Sequence, residues 1–165
     1  MADTEVCGSI RRNGDRFDIT LTRVFTHSPG RLWEALTKPD QIANWLAPGR
    51  IELRPGGTAK LDFADSGIAI DSVVTDVRPP HVIAYSWSSP GEPLRPLRFE
   101  TRIVPGGTNL TMTVSIPDSE DAPRTAAGFE AHLEMLAAAL EDVPIKFPFE
   151  VFKAARGVYK QALGI

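Results

Sequence analysis

Only one cysteine, Cys7, occurs in the chain, so no disulfide can form within it, which suits a reducing compartment. No apolar run approaches the ~18 residues that a membrane span needs. The opening residues, Met1-Ala2-Asp3-Thr4-Glu5, lack a basic stretch followed by an apolar one, so no secretory leader is expected. Neither sign of charge dominates. Lys and Arg number 18 against 21 Asp and Glu, and the net charge of −3 argues against a nucleic-acid partner. Histidine is scarce too: His27, His81 and His132 lie far apart, and no His or Cys cluster has metal-ligand spacing. Arg54-Pro55-Gly56-Gly57 and Val104-Pro105-Gly106-Gly107 lack the lysine of a phosphate loop, and no Gly-x-Ser-x-Gly elbow occurs. The expectation is therefore no metal, no cofactor and no catalytic residue. What is there is an ordinary globular composition, 42% hydrophobic and 24% charged over 165 residues. That is one domain, long enough to bury a core without disulfides, with a cytoplasmic location expected.

Residues 1–15 are polar and read as a flexible N-terminal arm ending in the turn Asn13-Gly14-Asp15. From Arg16 onward, Phe17, Ile19 and Leu21 alternate with Asp18, Thr20 and Thr22, the period of a half-buried strand. Ser28-Pro29 is a helix start, with Leu32, Trp33 and Leu36 on one stripe. Lys38-Pro39 breaks that helix, and a second short one carries Ile42, Trp45 and Leu46. Strands then follow one another between turn signals. Leu61 and Phe63 lie on one, and Asp65-Ser66-Gly67 turns into a long strand from Ile68 to Arg78. Another runs from Val82 to Ser88 with Ile83, Tyr85 and Trp87 on one face. Leu97, Phe99, Thr101 and Ile103 alternate on the next, and Leu110, Met112, Val114 and Ile116 on the last. The acidic residues Asp118, Glu120 and Asp121 precede a long helix with Phe129, Leu133, Leu136 and Leu140 on its apolar side and Glu130, Glu134 and Glu141 opposite. No βαβ alternation occurs, so the class is α+β, an antiparallel sheet with a helix across one face.

That order of elements, with these residues, resembles the helix-grip superfamily of START-like and pollen-allergen-like domains (SRPBCC). Within it the sequence is most similar to the family named after the activator of the heat-shock-protein-ninety ATPase. The pieces that carry the likeness are Val24-Phe25, Pro29, Leu32-Trp33-Glu34-Ala35-Leu36-Thr37-Lys38-Pro39, Trp45 with Pro48, and Arg54-Pro55-Gly56-Gly57. Val82-Ile83-Ala84-Tyr85-Ser86-Trp87, Gly106-Gly107-Thr108-Asn109-Leu110-Thr111, Gly128-Phe129, Leu133, Leu136 and Leu140 complete them. The likeness covers about residues 16–142. It implies a helix-grip fold: a curved antiparallel sheet of about six to seven strands wrapped around the long C-terminal helix, with two short helices after the first strand. It departs from the family in having Trp45-Leu46 where two aromatics are common, and Phe129 in place of the usual tryptophan. No counterpart of the co-chaperones' N-terminal domain is expected here, so the resemblance does not carry chaperone stimulation over to this sequence.

In the superfamily the space between sheet and helix takes lipids, sterols, polyketides or other hydrophobic molecules. The residues expected to line it here are Trp45, Tyr85, Trp87, Phe99, Met112, Phe129, His132 and Leu136. Arg23, Thr101 and His132 are the polar candidates. His132, three residues after Phe129, borders the inward stripe, where an imidazole could bond a ligand or move a proton; its plainer reading is a boundary residue turned to water or capped by a neighbour. Strict alternation puts Arg23 on the inward face, where it would suit a ligand carboxylate, but the favoured reading is that the strand ends or bulges there. Trp33 and Phe63 read as core. Residues 143–165 form an amphipathic extension, aromatic at Phe147, Phe149, Phe152 and Tyr159 and basic at Lys146, Lys153, Arg156 and Lys160. It is expected to pack on its own domain or on a second copy in a homodimer; with no lipidation signal, a membrane is not the expected partner. The function expected is non-catalytic binding of a small hydrophobic molecule. The alternatives are a protein-interaction module and a cavity enzyme of the cyclase or dehydratase type, which would need an acid/base pair that only His132 with Asp71 or Tyr85 could supply.

Overall fold

The computed structural model describes residues 6, 8–63 and 68–165. Met1–Glu5, Cys7 and the turn expected at Asp65-Ser66-Gly67 lie outside the described residues. β1 (Gly8–Asn13) and β2 (Arg16–Phe25) form an antiparallel hairpin. Gly14, at φ 63°, supplies the positive φ that a two-residue hairpin turn needs at its first central position. The flexible arm is thus corrected over residues 8–13. Ile10 lies opposite Ile19 and packs on the core, while Arg11 and Arg12 stay exposed and keep this edge strand polar. With Ile10 the only apolar side chain in the segment Gly-Ser-Ile-Arg-Arg-Asn, no alternation exists to read.

α1 (Pro29–Thr37) begins with the Ser28 hydroxyl accepting from the Arg31 amide at 3.2 Å and with Pro29 in the first turn. α2 (Pro39–Ile42) is a single turn, shorter than the sequence suggested. The Asn44 and Trp45 amides bond carbonyls three residues back, which tightens the chain and ends the helix. Trp45 and Leu46 are nonetheless buried with Ile42.

The remaining strands are β3 (Gly49–Ile51), β4 (Thr58–Phe63), β5 (Ile68–Arg78), β6 (Val82–Ser86), β7 (Pro96–Val104) and β8 (Gly107–Pro117). All pair antiparallel in one sheet of eight, in the order β1-β2-β8-β7-β6-β5-β4-β3. That exceeds the expected six to seven because β1 and the three-residue β3 give no sequence pattern. Between β7 and β8, Pro105 is followed by Gly106 at φ 88°, the positive φ that the third position of a type II turn requires. Two inward rows cross the sheet: Leu21, Met112, Phe99 and Ile83 in one, and Ile19, Val114, Leu97, Tyr85 and Val74 in the other. All nine are buried. A register shift between Val74 and Asp76 bends β5.

α3 (Ala122–Leu140) lies over these rows with Phe129, Leu133, Leu136 and Leu140 buried, and Asp121 caps its start by accepting from the Arg124 amide at 3.0 Å. α4 (Phe149–Leu163) runs along the other side of α3. This corrects the solvent-facing reading of Glu130. Its carboxylate is buried and accepts from the Tyr159 hydroxyl at 2.5 Å, because α4 covers that flank. Arg156 of α4 meets Asp121 at 2.6 Å. Among the described residues no helix is long and apolar enough to cross a membrane.

Candidate ligand-binding site

The inward face of the sheet and α3 together enclose the residues singled out from the sequence, in two groups. Trp45, Tyr85, Phe99, Met112 and Leu136 are fully buried in the core between them. Trp45 is fixed at both ends: its indole N–H donates to the Ala35 carbonyl at 2.7 Å, and its ring meets Phe99 edge-on with centroids 6.0 Å apart. Tyr85 differs from its neighbours in one respect. Its hydroxyl is buried and makes no hydrogen bond among the described residues. Burial pushes its pKa far above the ordinary phenol value, so it keeps its proton at any physiological pH.

The second group is a chain of rings running outward. Phe63 of β4 meets Trp87, just beyond β6, at 5.7 Å, and Trp87 meets Phe129 of α3 at 5.2 Å. His132 contacts Phe63 at 5.9 Å and Phe147 at 5.4 Å, and Phe147 touches both Phe149 and Phe152. Of the two plainer readings of His132, the ring is capped by a neighbour and not turned to water. Its Nδ1 lies 2.8 Å from the Trp45 carbonyl, and since a carbonyl only accepts, Nδ1 carries the proton and Nε2 is bare. Burial lowers its pKa, which keeps the ring neutral.

The other polar candidates are already engaged. β2 runs in register through Arg23, opposite Leu110, so the expected end or bulge is absent. The guanidinium faces inward as strict alternation requires, but donates to Glu134 of α3 at 2.8 Å. The Thr101 hydroxyl donates to the Pro80 carbonyl at 3.2 Å. His27 pairs with Glu141 at 2.9 Å on the surface, and His81 Nδ1 lies 3.1 Å from the Thr101 carbonyl. Sequence reasoning missed Phe63 and Phe147 as neighbours of His132; the long separations leave no local signal for either contact. Two solvent-open grooves lie elsewhere. One of about 330 Å³ is lined by Pro123, Arg156 and Leu163, the other, of about 410 Å³, by Thr20, Arg98 and Thr113.

A curved antiparallel sheet closed over a long C-terminal helix, with two short helices after the second strand, is the helix-grip fold. The chain belongs to the family described as activator of Hsp90 ATPase homolog 1-like protein, whose model matches residues 26–141. In this fold hydrophobic ligands are commonly bound. The solved structure of CalU16 from Micromonospora echinospora is similar at a TM-score of 0.77 and 17% identity, with 98% of each chain covered. A Bordetella parapertussis protein is similar at 0.72 and 24% identity, over 98% of this chain and 95% of that one. A Mesorhizobium loti protein reaches 27% identity at 0.69, over 78% of this chain and 99% of its own. No functionally curated protein matches the chain.

Proposed function

We propose that this protein binds a small hydrophobic molecule between the curved sheet and α3, without catalysing its conversion. The observation that carries the reading is the Tyr85 hydroxyl, buried among apolar side chains without a partner. A lost hydrogen bond of this kind costs about 1–3 kcal/mol, and native proteins keep few such groups without a use for them. A molecule entering the grip would supply the missing partner, and the rings of Trp45, Phe99, Trp87 and Phe129 would form apolar walls of the kind small-ligand sites have. The non-catalytic reading is supported by the surroundings of His132, whose Nδ1 meets a carbonyl and not a carboxylate, and by the exposure of Asp71. Native mass spectrometry of protein purified from its own organism is the direct test. A bound adduct released by organic extraction is the expected result. Ligand-free protein that also takes up no apolar dye would sink the proposal.

A further inference from the structure

We infer that the molecule this grip accepts is uncharged and carries a carbonyl or hydroxyl oxygen that pairs with the Tyr85 hydroxyl. The inference rests on the ligand-binding reading above and adds the chemical class of the ligand. It follows from a census of the inward-facing groups. The inward positions of β2, β6, β7 and β8 are apolar or hydroxyl-bearing apart from Arg23. Arg23 is neutralised by Glu134, at 2.8 Å, and both side chains stay partly exposed. α3 presents Phe129, Leu133, Leu136 and Leu140 inward, while its one buried carboxylate, Glu130, is turned to Tyr159 of α4. His132 donates its one proton to the Trp45 carbonyl. Among the described residues of these elements, then, no unneutralised charge faces the interior. A charged ligand would lie there unpaired, which is heavily disfavoured in an apolar surrounding.

Among the described residues of the grip, one fully buried polar side-chain atom lacks a partner. Trp45 Nε1 is satisfied by Ala35, and the Thr101 hydroxyl by Pro80, which leaves the Tyr85 oxygen. A phenol that keeps its proton offers an O–H to an acceptor, and a carbonyl or hydroxyl oxygen is the neutral group that takes it. The oxygen is sealed from solvent by the packed chain, so ligand entry requires surrounding side chains to shift. Relief of the unpaired hydroxyl favours that shifted state.

Three naphthalenes of nearly equal shape separate the possibilities: 2-acetylnaphthalene (neutral acceptor), 2-ethylnaphthalene (no acceptor) and 2-naphthoate (charged). Each is competed against the uncharged dye N-phenyl-1-naphthylamine on the full chain and on Tyr85→Phe. The expected result is dye uptake by both proteins and an acetyl-to-ethyl affinity ratio that falls about 5-fold in Tyr85→Phe, the worth of one neutral hydrogen bond. Naphthoate should compete at least about 100-fold more weakly than the acetyl compound. Tyr85→Phe deletes an unpaired group and so should fold normally, with its melting temperature unchanged or raised. An unchanged ratio, or naphthoate competing as well as the ketone, overturns the ligand class while leaving the grip a binding site. Failure of the full chain to take up the dye overturns the binding reading and the class together.

Discussion

Phe147 of the C-terminal segment meets His132 of α3 edge-on, with ring centroids 5.4 Å apart. The same imidazole holds the Trp45 carbonyl at 2.8 Å. Three segments distant in sequence thereby join at one end of the grip: the turn after α2, the middle of α3 and the chain leading into α4. Phe63 and Trp87 continue the contact into the sheet. Whatever moves His132 moves the wall of the candidate site.

That junction should be sensitive to acid. Burial lowers the His132 pKa below its ordinary 6.5. Above that value the ring is neutral in both folded and unfolded chains, so the native state keeps its full stability. As the pH falls below 6.5 the unfolded chain takes up a proton that the folded one refuses, and stability declines until the folded pKa is passed. Denaturant midpoints measured from pH 8 to pH 5 should therefore drop on the acid side, and the drop should flatten in His132→Gln, whose amide can still reach the Trp45 carbonyl. An identical slope in the variant would place the titration on another group.

Leu133→Asp should unfold the domain. Leu133 is 1% exposed in the core between α3 and the sheet. The substitution removes packing and puts a carboxylate into the apolar core, a combined effect on the order of 4 kcal/mol or more. A soluble variant melting at the wild-type temperature would mean that α3 does not face the sheet.

Local order was legible in the sequence wherever one face is buried and the other wet. β8 reads cleanly because Leu110, Met112, Val114 and Ile116 alternate with polar residues, and α1 because Ser28-Pro29 is a start signal in its own right. β1 was not, since an edge strand needs only backbone pairing and one apolar side chain. Arg23 shows the same limit from the other side. Its inward direction follows from alternation, but Glu134, which makes that direction tolerable, lies 111 residues away. The inward direction of Tyr85, Phe99 and Met112 could be read from strand alternation. Which polar group stands unpaired could not, because an empty hydrogen-bond position depends on every neighbour at once.

Ending the chain after Asp142 should destabilise the domain on the order of several kcal/mol, since α4 supplies the cover over one flank of α3. Tyr159 and Ala155 are buried there, and Arg156 reaches back to Asp121 at the start of α3. Tyr159→Phe, which removes only the hydroxyl that Glu130 accepts, should cost about 1.5–3 kcal/mol, the range for a hydrogen bond to a charged group. Thermal melts of both variants decide the matter. A truncated chain with the full-length melting temperature would mean that α4 contributes nothing to the fold.

Phe147→Ala should open the outer end of the grip without unfolding it. Phe147 lies in the stretch between α3 and α4 that forms neither helix nor strand, flanked by exposed Val143, Ile145 and Phe149. It is only half-buried, so its removal forfeits less packing than a core substitution, about 1 kcal/mol. Its ring nonetheless covers His132, and behind His132 come Phe63, Trp87 and Phe129. Removing the ring lets water reach the imidazole, which relieves the burial that holds its pKa down. Two readouts should therefore move together. Stopped-flow uptake of N-phenyl-1-naphthylamine should quicken, and the His132 ring signal in an NMR titration should shift its midpoint upward toward 6.5. A higher midpoint with unaltered uptake would show that the ring shields the histidine but does not guard the entrance. If neither changes while the protein stays folded, Phe147 is an ornament of the surface and the entrance lies at another end of the sheet.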